Sequence, residues 1–223
     1  MQRRIEITAV DGHIFEAWRA DPAGAAKGGV VILHAVYGLT DHIGDVCARW
    51  ARAGYAAVAP ALYDRHGRGT VHAYSRAGAD AGIASYEALT EAQIFADVTA
   101  CADALRPASR VAISGFCTGG TWAWRAAASL PFDAQVNFYG SHVPAYLDLP
   151  QPLPTIMHYG DNDPIMPMDK IQSIAARHSA VEICIYPSAG HAFCNPEQAT
   201  YQAAAAEDAW RRSFAFLDRH FAA

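Results

Sequence analysis

The stretch Val111-Ala112-Ile113-Ser114-Gly115-Phe116-Cys117-Thr118-Gly119-Gly120 decides how the rest of the chain is read. Residues 111–114 form a short apolar run that reads as a buried strand, and a helix is expected to begin near Thr118. Between them, Gly115-Phe116-Cys117-Thr118-Gly119 has the G-x-S-x-G pattern of a sharp strand-to-helix turn, with cysteine at its centre. Glycine is needed two positions before and after that centre because side chains there would collide with neighbouring elements. The central residue then projects into a crevice. A thiol at the first turn of a helix also meets the positive end of the helix dipole, which favours the thiolate that attacks carbon. A lone cysteine outside such a turn would be read as core.

Working outward, strand, loop and helix alternate. Residues 5–9 and 14–18 are two β-like runs around Asp11-Gly12, which predicts an antiparallel hairpin at one sheet edge. Strands follow at 30–33 and at 56–59, the latter closed by Pro60, with a helix over 41–53 and Gly54 as its C-terminal stop between them. The Gly- and Arg-rich residues 64–80 read as a long loop of the kind that often carries function. Thr90 and Gln93 have capping-box spacing ahead of a helix to about 106. Further strands are expected at 134–139, 155–159 and 182–186, with a Pro-rich loop at 144–154 and a helix near 169–178. Ala203, Trp210, Phe214, Leu217 and Phe221 stand near helical spacing and predict a final amphipathic helix packed on the sheet. The pattern is that of an α/β chain with a mostly parallel, doubly wound sheet, helices on both faces and an N-terminal antiparallel hairpin, in one domain over 1–223. Ligand sites in such sheets lie beyond the carboxyl ends of the strands.

Composition bounds the function. Of 223 residues, 52% are hydrophobic and 17% charged, the balance of a soluble globule. Apolar runs are far shorter than the roughly 20 residues a membrane crossing needs. No secretory h-region follows the two arginines near the amino terminus. A net charge of -5 argues against nucleic acid, whose binding rests on Lys and Arg contacts to phosphate. Five cysteines, odd in number and without CxxC spacing, suggest neither a disulfide framework nor zinc, and no His-Glu-x-x-His motif is present. The expectation is a cytoplasmic protein with reduced thiols, monomeric or a small homo-oligomer, acting on a small molecule without nucleic acid, membrane or metal.

Partners for Cys117 should follow in the order nucleophile, acid, histidine, each in a loop after a later strand. The strand at 155–159 runs into Gly160-Asp161-Asn162-Asp163-Pro164, and the strand at 182–186 runs into Pro187-Ser188-Ala189-Gly190-His191-Ala192-Phe193. His191 would take the thiol proton or pair with the thiolate, and a carboxylate on its far nitrogen would fix the tautomer. Two aspartates compete for that place. Asp163 is favoured, with Asp161 the turn-former whose carboxylate bonds backbone N–H groups.

Gly-Phe-Cys-Thr-Gly-Gly at 115–120, Gly-Asp-Asn-Asp-Pro at 160–164 and Ala-Gly-His-Ala-Phe at 189–193 stand in the order and approximate spacing of the dienelactone hydrolases. The chain resembles that family of the α/β-hydrolase superfamily over nearly its whole length. The resemblance implies an enzyme that hydrolyses an enol-lactone or related ester through a cysteine acyl-enzyme, with no cofactor. It implies Cys117 as nucleophile, Asp163 as acid and His191 as base. The oxyanion would be held by the backbone N–H groups of Thr118 and Val36. His34, Tyr37, Tyr86, Tyr139 and Phe193 are candidates for the pocket lining.

The departures from the family matter too. Its best-known members carry a glutamate in the 34–38 segment that contacts the resting cysteine, and this chain has Ala35 there. A simpler Cys117–His191 pair is therefore expected. Those members also hold a substrate carboxylate with arginines, one of them four residues after the histidine, where this chain has Asn195. Arg65, Arg68 or Arg76 in the long loop would have to replace it, or the substrate is neutral or differently shaped. A carboxylesterase or thioesterase acting on a linear acyl group, and a non-catalytic binding protein of the same fold, are the alternatives.

Overall fold

The computed structural model describes residues 2–106 and 110–222, in two compact units that meet in sequence at Ala112 and Ile113. The first unit begins with the expected hairpin, β1 (Arg3–Thr8) against β2 (Ile14–Ala20), antiparallel with Thr8 opposite Ile14. β3 (Gly29–Leu33) and β4 (Ala56–Pro60) are parallel to each other, and the strand order in this unit is β1-β2-β4-β3. β3 and β4 are buried at every position, whereas β1 is at least partly exposed throughout. That difference is the one expected between central parallel strands and an antiparallel edge. Helices α1 (Asp41–Arg52), α2 (Arg76–Glu87) and α3 (Glu91–Leu105) complete the unit, and the Thr90–Gln93 capping box opens α3.

The long loop expected at 64–80 is shortened at both ends and keeps only residues 66–75. A 3-10 turn occupies Leu62–Arg65, and α2 already begins at Arg76, capped by Ser75 Oγ accepting from the Gly78 N–H at 3.1 Å. Gly78 and Gly82 lower the intrinsic helix propensity enough to hide this helix from a reading of composition. It is held instead by its cap and by the burial of Tyr86.

The second unit carries β5 (Val111–Phe116), β6 (Ala134–Phe138), β7 (Thr155–Gly160) and β8 (Glu182–Tyr186) in that spatial order, with β7 parallel to both β6 and β8. Helices α4 (Thr118–Ser129), α5 (Met168–Arg177) and α6 (Ala203–Phe221) accompany them, and a 3-10 turn forms at Val143–Tyr146. Among the described residues there are eight strands, most of them parallel, and with the helices they make this an α/β fold. The buried face of α6 consists of Ala206, Ala209, Trp210, Ser213, Phe216 and Leu217, so the expected stripe is shifted: Ala203 is exposed and Phe214 and Phe221 are half-buried. The small residues in this face let side chains of the sheet reach the helix, as Ser213 shows below.

Candidate active site

Cys117 sits between β5 and α4 with φ 55° and ψ -121°, a backbone conformation that costs a non-glycine residue on the order of 1–3 kcal/mol. Several hydrogen bonds hold it there. Its N–H donates to Phe138 O at 3.0 Å, and its carbonyl accepts from Gly120 and Thr121 at 2.9 and 3.2 Å, opening α4. A side chain at Gly115 would place its Cβ 2.2 Å from Gly119 O, so the turn closes only with glycine. Asn137, buried on β6, braces the turn from below: its Nδ2 donates to Gly120 O at 2.7 Å and its Oδ1 accepts from Gly140 N–H at 3.1 Å.

The acid and histidine loops are pressed together in the same way. A Cβ on Gly160 would lie 2.0 Å from Ala189 O, and Asn162 N–H donates to that same carbonyl at 3.0 Å. Asp161 Oδ1 accepts from Ser188 N–H at 2.6 Å, tying the two loops. Asp163, only 2% exposed, accepts from the Ile165 and Met166 N–H groups at 2.8 and 3.2 Å through Oδ1. Its Oδ2 lies 2.7 Å from His191 Nδ1. Burial opposes ionisation of Asp163, but His191 and the two backbone donors outweigh it and hold the carboxyl below its ordinary range.

His191 Nε2 is buried and makes no aligned hydrogen bond, and the group acting on it is the Cys117 thiol. Burial disfavours an imidazolium here, yet the sulfur and Asp163 together raise the imidazole pKa to about 10. Burial likewise pushes the thiol up, and the charge of His191 with the Thr118 N–H brings it below the ordinary thiol value. Both shifts favour a thiolate–imidazolium pair at neutral pH. Long or unaligned contacts between nucleophile and base are common before substrate closes a site. Cys117 remains partly exposed, so the thiol can be reached.

Of the pocket candidates, Tyr139 and Phe193 lie in this cluster. Tyr139, at φ 43°, sets its ring edge-on to His191 with centroids 5.2 Å apart and meets Phe193 at 5.6 Å. Asn195 is buried and its Oδ1 accepts from Glu197 N–H at 2.9 Å, a local turn bond. The other candidates belong to the first unit. His34 is fully buried, with Nδ1 2.8 Å from Ala35 O, and Tyr86 donates to His34 O at 2.6 Å. The Ala35 carbonyl also accepts from Gly38 N–H at 3.1 Å, which fixes the plane of the peptide that ends in the Val36 N–H. Tyr37 packs on Tyr74 with ring centroids 4.5 Å apart.

The three loop arginines are each held in an ion pair. Arg65 is 6% exposed and forks onto the fully buried Asp97 at 2.6 and 2.9 Å, with Asp11 at 2.7 Å. Arg68 pairs with Glu6. Arg76, 91% exposed on α2, pairs with Asp80 at 3.0 Å. Each is engaged by a carboxylate of its own unit.

Sequence reasoning overlooked Ser141 and His142. Ser141 N–H donates to Cys117 O at 3.3 Å, and His142 N–H donates to Thr121 Oγ1 at 3.0 Å. The signal was available, because Gly140-Ser141-His142 follows the carboxyl end of β6, where the same search that found the other loops should have looked. Among the described residues no group of three His, Cys, Asp or Glu side chains is placed to hold a metal ion, and no helix is long and apolar enough to cross a membrane.

Comparison with known proteins agrees with this architecture. The chain is 33% identical over 210 residues to a protein of Yersinia pestis named "Putative carboxymethylenebutenolidase", covering 86% of this chain and 78% of that one. A protein of the same name from Escherichia coli K12 is 32% identical over 210 residues, covering 86% and 76%. The crystal structure of a "Putative Dienelactone Hydrolase" from Klebsiella pneumoniae superposes with a TM-score of 0.81 at 28% identity, covering 100% of this chain and 99% of that one. The profile of the dienelactone hydrolase family matches residues 15–221. This chain therefore belongs to the dienelactone hydrolase family and is a hydrolase of ester or lactone bonds.

Proposed function

We propose that the protein hydrolyses a small lactone or ester through a thioester on Cys117, with His191 moving the proton and Asp163 orienting it. The observation that carries this reading is the alignment of Asp163 on Nδ1 of a raised-pKa His191 whose other nitrogen is left to a lowered-pKa thiol. The thiolate attacks the carbonyl carbon and the C=O electron pair moves onto oxygen, where the Thr118 N–H is a donor. Collapse of this intermediate breaks the C–O bond, and the departing alkoxide takes the proton from His191 Nε2. In a lactone the alkoxide stays attached to the acyl group. Water then attacks the thioester, His191 Nε2 accepts its proton, and the thiolate leaves with the acid released. Asp163 stays ionised throughout and stabilises each imidazolium state.

The test compares wild type with Cys117→Ala on p-nitrophenyl acetate and a panel of small lactones, with intact mass recorded during turnover. Loss of turnover in the variant, together with an acyl adduct on wild-type Cys117, is the expected result. Turnover that persists in Cys117→Ala would overturn it.

A further inference from the structure

The loop that carries His191 is strained and is tied down from two flanks. Ser188 and Ala192, on either side of the histidine, have φ of 60° and 62°, left-handed conformations that a non-glycine residue keeps only when its surroundings enforce them. The acid loop holds the first half: Asp161 Oδ1 accepts from Ser188 N–H at 2.6 Å, and Asn162 N–H donates to Ala189 O at 3.0 Å. The second half is held by the chain that follows it. Asn195 N–H donates to Ala192 O at 2.9 Å, and successive turns bond Gln198 N–H to Asn195 O and Tyr201 N–H to Gln198 O, each at 3.0 Å. These turns bring residues 200–202 back alongside the histidine.

Two side chains there grip the loop. The Thr200 hydroxyl donates to the carbonyl of His191 itself, and a Cβ on Gly190 would lie 3.2 Å from the Thr200 methyl, so Thr200 lies against both residues. Gln202 spans the strained segment: its Nε2 donates to Ser188 O at 2.8 Å and its N–H to Phe193 O at 3.0 Å. Thr200 is exposed and Gln202 half-buried, beside an open groove lined by Asn162, Pro164, Gly190 and Tyr201. Ala189 and Phe193 anchor the ends of the loop in the core, and between them the backbone is partly exposed and set by these bonds.

We propose that Thr200 and Gln202 are positioning residues for hydrolysis, which hold the His191 backbone so that its imidazole stands between Asp163 and Cys117. This rests on the reading of Cys117 and His191 as nucleophile and base. The ring meets Asp163 Oδ2 at 2.7 Å, and a backbone free to relax by a fraction of an ångström would lengthen that bond and turn Nε2 away from the sulfur. The effect passes through His191, so a loss should fall on kcat and leave KM nearly unchanged.

The experiment measures kcat and KM on p-nitrophenyl acetate in Thr200→Val, Thr200→Ser and Gln202→Leu. In each it also records the ultraviolet titration of the Cys117 thiolate, as the difference from the matching Cys117→Ala protein. Thr200→Val keeps the methyl contact and removes the hydroxyl. Its kcat should fall about tenfold, and its thiolate titration should move up by about half a pH unit or more. Gln202→Leu keeps its backbone N–H and should lose about threefold in kcat, whereas Thr200→Ser, with the hydroxyl restored, should stay within about twofold of wild type. A merely structural role would lower the melting temperature and leave the thiolate titration where it is. An unmoved titration in Thr200→Val overturns the proposal, and so does a Thr200→Ser that behaves like Thr200→Val. The titration needs no substrate, so a wild type that fails to turn over through Cys117 sinks the hydrolase reading alone, and the titration still decides whether Thr200 positions the imidazole.

Discussion

Two histidines of the second unit, one fully buried and one partly exposed, are pushed in opposite directions by their surroundings. His158, on β7, is fully buried with Nδ1 2.9 Å from Tyr186 Oη and Nε2 2.9 Å from Ser213 Oγ. Ser213 Oγ already donates to Ala209 O at 2.8 Å, so it accepts from His158 Nε2–H, and Tyr186 must donate to Nδ1. Both nitrogens are satisfied by neutral groups, and burial takes the pKa down to about 3. His191 has a carboxylate on one nitrogen, a thiol facing the other, and a pKa raised to about 10. A buried polar network that is complete serves the fold. One that is charged and left open at a reachable nucleophile is poised for chemistry.

The largest effect should separate the two residues outright. His191→Gln is expected to lower kcat/KM by about a thousandfold or more, whereas His158→Gln should leave the rate per folded molecule nearly unchanged. Activity lost in His158→Gln at undiminished stability would break the distinction.

Asp163→Asn comes next, with a kcat loss on the order of a hundredfold or more. Without its counter-charge the imidazolium is less favoured, so the thiolate absorbance of Cys117 at neutral pH should fall with the rate. A wild-type Cys117 that titrates near or above the unperturbed ~8.5 would contradict the ion pair from the start.

Stability against pH should carry opposite signs for the two histidines. The folded-state pKa of His191 is above its ordinary 6.5, so its contribution is fully present below about 6.5 and is lost as pH rises through about 10. For His158 the folded-state pKa lies below 6.5. The unfolded chain binds the extra proton, and stability falls as pH drops from about 6.5 toward about 3, by up to about 1.4 kcal/mol per pH unit. Urea unfolding of wild type and His158→Gln across this acid range measures it: the slope should be shallower in the variant.

The smallest effect expected is that of Tyr186→Phe. It removes the hydroxyl bound to His158 Nδ1 and should cost about 1 kcal/mol of stability with kcat/KM unaltered. A change in rate instead would mean that the β7–β8 network reaches the active site.

Most elements were legible in the chain because their signals are local. The apolar runs of β3 to β7, the Asp11-Gly12 hairpin and the Thr90–Gln93 cap each depend on neighbours within a few residues. Helix α2 was not legible, because two helix-weakening glycines mask the local signal of the Ser75 cap and the burial of Tyr86 is decided by tertiary contacts. The buried face of α6 was displaced for a related reason: Ser213, a polar residue by composition, belongs to the interior because His158 waits there for it.

The sequence by itself determined the α/β alternation and the family, and it named Cys117, Asp163 and His191 as candidates, since a turn that needs glycines and a strand–loop order are written in consecutive residues. Only the tertiary structure decided which aspartate meets the imidazole, which histidine its surroundings push toward the charged form, and that Arg65 is a structural ion pair. Those outcomes depend on burial and on partners tens of residues away, and the free energy of a charge is set by what surrounds it in space.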